Sequence, residues 1–364
     1  MHVAHIMASG EPGGGATYLV GLLPELAKLE VQSCLITQPN SVLAELARTQ
    51  EFKVYGLDLM TSRLDITIAK QLASTIAEIG PTLVHAHGTR AAFYCALASI
   101  HKYCPVVYTA HGISFRDTQP LPKNLLMKAV EWFSMRKLAA LASVSEQDLE
   151  ALSQLHSNSA TPKAYIPNAV SGELFKPGNK AEARKRINLP EKAFIVGTVS
   201  RLVEQKAVHL LLDAATEVEG AHIVIVGDGP LEAQLRKLAH STGIQCHFLG
   251  SRNDVPEILP SFDVFVLSSL WEGEPLSLLE SMACGIPVIA SDTPGACSIL
   301  KNENSGLLFS RGSKQDLAAL LLRLRDNPEL RRVLSLGAIA AASERTLTRT
   351  AQQTVAVYQE GLVP

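Results

Sequence analysis

Short runs rich in β-branched residues alternate with longer stretches of helical period along the chain, in two series. HVAHIM, SCLIT, TLVHAH, PVVYTAH and ALASVS make up the first, and FIVGTVS, AHIVIVG, CHFLG, DVFVLSS and IPVIAS the second. Strand-helix-strand repetition of this kind predicts an α/β protein whose parallel sheets are covered by helices on both faces. Between the series lies YIPNAVSGELFKPGNKAEARKRINLPEKA, polar and punctuated by prolines, which places a hinge near residues 167 to 190. The chain has 364 residues, of which 47% are apolar, so it exceeds the usual size of one core and has the material for two. The expected division is a Rossmann-like domain over 1–170, a second over 171–345 and a terminal helix over 346–364. That tail, RTAQQTVAVYQEGL, sets Ala351, Val355 and Tyr358 at helical spacing and is expected to pack back on the first domain.

Composition narrows the partners. Formal net charge is −2 and no long block of like charge occurs, so nucleic acid is not an expected partner. The six cysteines form no CxxC pair and fall mostly in apolar runs, as reduced thiols do, which points to the cytoplasm. MHVAHIMASG lacks a basic segment followed by an apolar one, and no run of about 18 apolar residues occurs, so neither export nor a membrane span is expected.

Two doubly wound domains facing a central cleft would present the carboxyl ends of both sheets to it, where open α/β sheets bind ligands. Candidate residues therefore belong just after strands. SRLVEQKA follows FIVGTVS and offers Arg201 as a fork and Lys206 as a point charge, a pair suited to a diphosphate; a solvated loop is the equal alternative on spacing alone. In EGEPLSLLE, Pro275 suits the opening turn of a helix whose apolar face is Leu276, Leu278, Leu279, Met282 and Ala283. Glu272 then lies in a loop and Glu280 on the helix. The N–H groups of Leu276 and Ser277 would form an anion site, with Glu280 roughly 7 Å deeper, about the reach from a nucleotide's phosphates to its ribose hydroxyls. An exposed helix acid is the bland reading of Glu280, but the helix is apolar on most sides and leads into a buried strand.

Other candidates carry weaker signals. GDGP at 227 to 230 would let a ligand or the opposite backbone approach at Gly227, or is only a turn. FLGSRNDV, with Arg252, ends a strand and could flank a nucleobase. GEPGGGAT fits neither a dinucleotide nor a P-loop fingerprint, yet Gly14 and Gly15 permit exposed N–H groups beside an anion; a tight turn without ligand explains it equally. His111 ends a strand beside Gly112, facing the cleft or satisfied in the core. His85 and His87 have the same-face spacing of a metal pair, but no carboxylate or third ligand lies near in sequence, so they are read as structural, with metal binding the lesser alternative.

SRLVEQKA, GDGP, FLG, WEGEPLSLLESMACGIPVIASDTPG and NSGLLF occur together, in an order that resembles the retaining glycosyltransferases of family 4, also called group 1, which have the GT-B fold. HAHGTRAAF with PVVYTAHGISF looks most like enzymes that build bacterial envelope polysaccharides. The resemblance implies transfer of a sugar, with retained configuration, from a nucleotide-diphosphate donor, a UDP-sugar foremost, to a saccharide or lipid-linked saccharide. Arg201 and Lys206 would hold the donor diphosphate, Glu280 the ribose, and Glu272 with Gly273 and the loop after it the transferred sugar. Gly14, Gly15 and His111 would lie near the reacting sugar and the acceptor. The catalytic set is then Glu272, His111, Arg201 and Lys206, with no cofactor and no metal, and the chain has no Asp-x-Asp to hold a cation. An epimerase of similar shape and a silent nucleotide-sugar-binding protein are the alternatives. Ser200, Ala207 and Ala169 stand where the family often has glycine, and alanine is expected to exclude easy positive φ. Glu274 replaces a more usual Phe or Leu and could alter which sugar fits.

Residues 121–142, LPKNLLMKAVEWFSMRKLAALA, combine helical period with Lys123, Lys128, Arg136 and Lys137. Leu125, Leu126, Ala129, Trp132 and Phe133 can form one side. Either this side packs on the sheet, or the helix makes a peripheral contact at the inner face of a membrane.

Overall fold

The computed structural model describes residues 1–61, 64–113, 115, 121–156 and 160–363; Ser114, within HGISF, and Pro364, at the end of the tail, lie outside them. The chain divides into two units, one made of Met1–Asn168 and Leu347–Pro364, the other of Ala169–Thr346.

In the first unit seven parallel strands run β1 (His2–Met7), β2 (Gln32–Thr37), β3 (Lys53–Gly56), β4 (Leu83–His87), β5 (Val106–Ala110), β6 (Ala140–Ser143) and β7 (Lys163–Tyr165), in the spatial order β3-β2-β1-β4-β5-β6-β7. Every residue of β4 and β5 is buried, as central strands covered on both faces must be. One face packs Ile6, Ile36, Val84, Ala86 and Tyr108 with Leu72, Ile76 and Tyr94. The other face carries histidines, and the helix Leu347–Leu362 contributes Tyr358 to it. That helix packs on the helix Gly14–Lys28, where a Cβ on Gly21 would sit 2.9 Å from Leu347, so glycine leaves the room the contact needs.

The second unit holds six parallel strands, β8 (Phe194–Val199), β9 (Ala221–Val226), β10 (Gln245–Gly250), β11 (Val264–Leu267), β12 (Val288–Ser291) and β13 (Leu307–Phe309), ordered β10-β9-β8-β11-β12-β13. Its core joins Val196, Ile223, Ile225, Val264, Val266 and Ile289 to Leu211, Leu317, Leu321 and Leu334 of the covering helices. Both sheets are doubly wound. Strand order reverses between β1 and β4 in one and between β8 and β11 in the other, and the loops leaving those strands open at that point.

All six cysteines are free thiols, and Cys297 is exposed where the sequence pattern favoured burial. Among the described residues no helix is long and apolar enough to cross a membrane.

Candidate active site

Because β8 and β11 are neighbours, the loops that follow them meet, although some 66 residues separate them in sequence. Lys206 Nζ lies 2.5 Å from Glu272 Oε1, and the Ser269 hydroxyl donates to the same oxygen at 2.5 Å. The loops are stitched along their backbones as well. Gln205 donates to the Trp271 carbonyl, Leu270 N–H to the Gln205 carbonyl, and the Ser268 hydroxyl to the Lys206 carbonyl. Ala207 closes this turn with φ 44° and ψ 41°. Alanine therefore adopts the left-handed conformation that its side chain was expected to exclude, at about 1–2 kcal/mol. Its carbonyl accepts from Ser268 Oγ and Leu210 N–H, which hold it there. Neither Ser200 nor Ala169 has positive φ, so neither position requires glycine.

Arg201 projects from the same loop and is exposed. Its backbone neighbours are pinned by the GDGP turn: Ser200 N–H donates to Val226 and Leu202 N–H to Asp228. A Cβ on Gly227, at φ 125°, would fall 2.0 Å from the Ser200 carbonyl oxygen. Of the two readings of this glycine, close approach of the opposite backbone is the one seen. Arg252 is exposed and gripped by Asp254 through two hydrogen bonds of 2.7 and 2.6 Å, so its guanidinium is held against its own loop.

The helix Leu276–Ala283 begins after Pro275, which is its cap at ψ 113° and not a first-turn residue. The N–H groups of Leu276 and Ser277 are first-turn donors without helical partners. Glu280 is 8% exposed, its carboxyl has no hydrogen-bond partner among the described residues, and burial pushes its pKa up to about 7. Glu274 is buried and bound by Arg345, which also donates to the Ser298 carbonyl at 2.8 Å. Its carboxylate is thus tied to the end of this unit's chain. Gly295 was not among the expected site residues, yet a Cβ there would sit 2.1 Å from the Gly273 carbonyl oxygen. It is the seat of the Glu272–Gly273 loop, and its only sequence signal is the TPG that follows β12.

In the first unit, Gly14 and Gly15 open the helix Gly14–Lys28 after Gly13, so their N–H groups lie in its first turn. Parallel register places His5 of β1 opposite His85 of β4, with His87 two residues on and on the same face. The ligand-capable nitrogens of these three lie within 4.8 Å of one another, so the third histidine that the local sequence did not offer comes from another strand. Each of their ring nitrogens already faces a partner. His85 meets Tyr358 and Thr109 at 2.7 Å each, His5 and His87 share a hydrogen bond of 3.1 Å, His87 reaches His111 at 3.2 Å, and His5 reaches Ser33 at 3.4 Å. Burial holds all four rings neutral: His5 is pushed down to about 3, His111 to about 4, and His85 and His87 well below the usual range.

Comparison with known proteins decides the family. The family described as Glycosyl transferases group 1 matches residues 179–339, and Glycosyltransferase Family 4 matches residues 12–173. A UDP-Gal:alpha-D-GlcNAc-diphosphoundecaprenol alpha-1,3-galactosyltransferase of Escherichia coli is 32% identical over 262 residues, covering 68% of this chain and 67% of its own. This chain is a family 4 glycosyltransferase. The putative glycosyltransferase EpsF of Bacillus subtilis is 28% identical to it, over 84% of this chain and 81% of EpsF. The crystal structure of Anabaena HepE in complex with UDP-glucose superposes with a TM-score of 0.87 at 21% identity, covering 99% of each chain, which shows that the glycosyltransferase has the GT-B fold of two Rossmann-like domains.

One helix of the glycosyltransferase inverts the usual pattern. In Leu121–Ser134 the buried residues are Asn124, Glu131 and Ser134, and Glu131 accepts from Thr89 at 2.6 Å and Tyr108 at 3.2 Å. Leu121, Leu125, Leu126 and Trp132 are 51 to 70% exposed. The leucines and the tryptophan therefore do not pack on the sheet, and Lys123, Arg136 and Lys137 share their exposed surroundings.

Proposed function

We propose that the enzyme moves a sugar from a UDP-sugar, with retained anomeric configuration, to a saccharide or lipid-linked saccharide acceptor in envelope polysaccharide synthesis. Glu280 carries the reading. A buried carboxyl without a partner is costly unless a ligand supplies one, and this carboxyl lies one turn below free helix N–H groups. Ribose hydroxyls on the carboxylate and a diphosphate at the helix start satisfy both needs. The UDP-glucose bound to HepE and the UDP-Gal and diphosphoundecaprenol in the name of the E. coli relative support a uridine donor and a lipid-linked acceptor.

As the sugar departs, negative charge gathers on the diphosphate. Arg201, Lys206 and the N–H groups of Leu276 and Ser277 stabilise that charge where it develops, an effect worth several kcal/mol, about 3 for a single donor. Lys206 is held for this by Glu272, which with Gly273 contacts the transferred sugar. Gly227 keeps the Arg201 loop in place. His111, Gly14 and Gly15 serve the reacting sugar and the acceptor, and no metal is assigned a role. The exposed leucines and Trp132 of Leu121–Ser134, with their basic neighbours, form the peripheral contact through which the enzyme reaches a lipid-borne acceptor.

The test is UDP titration of Glu280→Ala and Arg201→Ala variants. Each is expected to bind UDP at least tenfold more weakly with no fall in the unfolding temperature. Unaltered affinity in both would sink the placement of the donor.

A further inference from the structure

A row of rings leads from the sheet interior to His111. The Ser33 hydroxyl lies 3.4 Å from His5 Nε2, His5 Nδ1 lies 3.1 Å from His87 Nε2, and His87 Nδ1 lies 3.2 Å from His111 Nε2. His111 Nδ1 has no partner among the described residues, and His111 is the one ring of the row that is more than marginally exposed, Ser33 at the other end being half-buried. We infer that His5 and His87 are positioning residues for sugar transfer, which fix through this row the tautomer that His111 presents to its ligand. The inference rests on the assignment of His111 to the reaction.

A neutral imidazole has one N–H and one lone pair. Within the row each nitrogen faces another ring, so two donors or two acceptors would clash, and the rings must all share one tautomer. Only two arrangements remain. In the first, all three carry Nε2–H and the protons point inward, ending on Ser33, so that His111 Nδ1 offers a lone pair. In the second, all three carry Nδ1–H, Ser33 donates to His5, and His111 offers an Nδ1–H.

The contact with Ser33 is the longest of the row and selects between them. The inward arrangement would leave the buried His5 N–H on a poor acceptor, whereas the outward one leaves only a lone pair underused, and orphaned buried N–H groups are the rarer and costlier fault. A serine hydroxyl can also rotate to donate. His85 stands beside the row and not in it, because Tyr358 and Thr109 engage both its nitrogens. It lies tilted against His87 at 3.9 Å between centroids and so limits how that ring can turn. His111 therefore meets a sugar or acceptor oxygen as a donor, in the tautomer that free histidine in water disfavours.

Two-bond proton-nitrogen spectra of the full chain labelled with 15N-histidine at pH 7.5 test this directly, with single His→Gln variants for assignment. His5, His87 and His111 are all expected as neutral Nδ1–H rings. Any other pattern, all three as Nε2–H included, overturns the inference, and this measurement needs no variant to fold with full stability. A second arm compares His87→Asn, whose amide can still donate to His111, with His87→Phe, which cannot. In His87→Phe, His111 should relax to Nε2–H and UDP release from UDP-sugars should slow at least tenfold, with the donor KM changed less than twofold. His87→Asn should recover most of the rate. An unaltered His111 tautomer in His87→Phe also overturns the inference. Unchanged turnover in His111→Ala would instead remove His111 from the reaction and leave the tautomer pattern standing, so the two failures can be told apart.

Discussion

Glu280 was marked in the sequence by its distance from Glu272 and by the apolar helix around it; its protonation was not, because that depends on burial. With a pKa raised to about 7, the carboxyl is half neutral near physiological pH. A neutral acid can accept from only part of a ribose diol, so binding in the proposed pose selects the ionised form and releases a proton at lower pH. Affinity should therefore fall as pH falls through 7. UDP-glucose is the suitable probe, since its diphosphate diester does not titrate in this range. It is expected to bind about tenfold more weakly at pH 6 than at pH 8, as follows from ionised fractions of roughly one tenth and nine tenths. Glu280→Gln should bind weakly at both. A flat profile in the unaltered enzyme would mean that the carboxyl does not meet the nucleotide.

At the scale of elements, what the sequence made legible were the features whose causes are local. Ten strands, nine interior and β10 at an edge, are apolar runs, most of them with β-branched residues, and each is found as a strand. The other three, KVYG, KAY and LLF, are edge strands of three or four residues, too short for an alternating pattern to show; KVYG and KAY bury little, while Leu307 and Phe309 of LLF are buried. Pairings between distant residues were equally silent: Lys206 with Glu272 and His5 with His87 follow from strand order, and Glu274 with Arg345 from how the chain leaves the helix Pro328–Ser343. The helix Leu121–Ser134 shows the limit most plainly, since its period was legible but its orientation was not. Glu131 turns inward to meet Thr89 and Tyr108, and that forces the leucines out. Its exposed face predicts salt-sensitive binding to anionic vesicles. Neutralising Lys123, Lys128, Arg136 and Lys137 together should remove up to about 4 kcal/mol, at about 1 kcal/mol for each basic residue near an anionic surface. Sedimentation at low salt with no binding by the unaltered enzyme would dismiss the contact.

For the whole molecule, the buried histidines of the first unit and Glu280 of the second act on stability in opposite directions. His5, His85 and His87 are buried as neutral rings, with folded pKa values far below the 6.5 of the unfolded chain. Above pH 6.5 neither state is protonated and the rings cost nothing. Below it the unfolded chain takes up protons that the folded one refuses, so stability is lost as pH falls from 6.5 toward about 3, the value of His5. Each ring contributes about 1.4 kcal/mol per pH unit, and the three together about 4. Against a total of roughly 5–15 kcal/mol for a domain, the loss by pH 5 is a large fraction of the first unit's stability. Glu280 has the other sign. Its folded pKa of about 7 lies above the ordinary 4.5, so the second unit gains stability as pH falls from 7 to 4.5. Burial also lowers His222 and His247 of the second unit, against Glu280, so calorimetric scans between pH 7.5 and 5 should show the transition of the first unit dropping below pH 6.5 more steeply than that of the second. His85→Phe should lower the proton uptake on unfolding by about one. If both transitions moved together with acid, or if unfolding at pH 5.5 took up no protons, the buried rings would not be neutral as described.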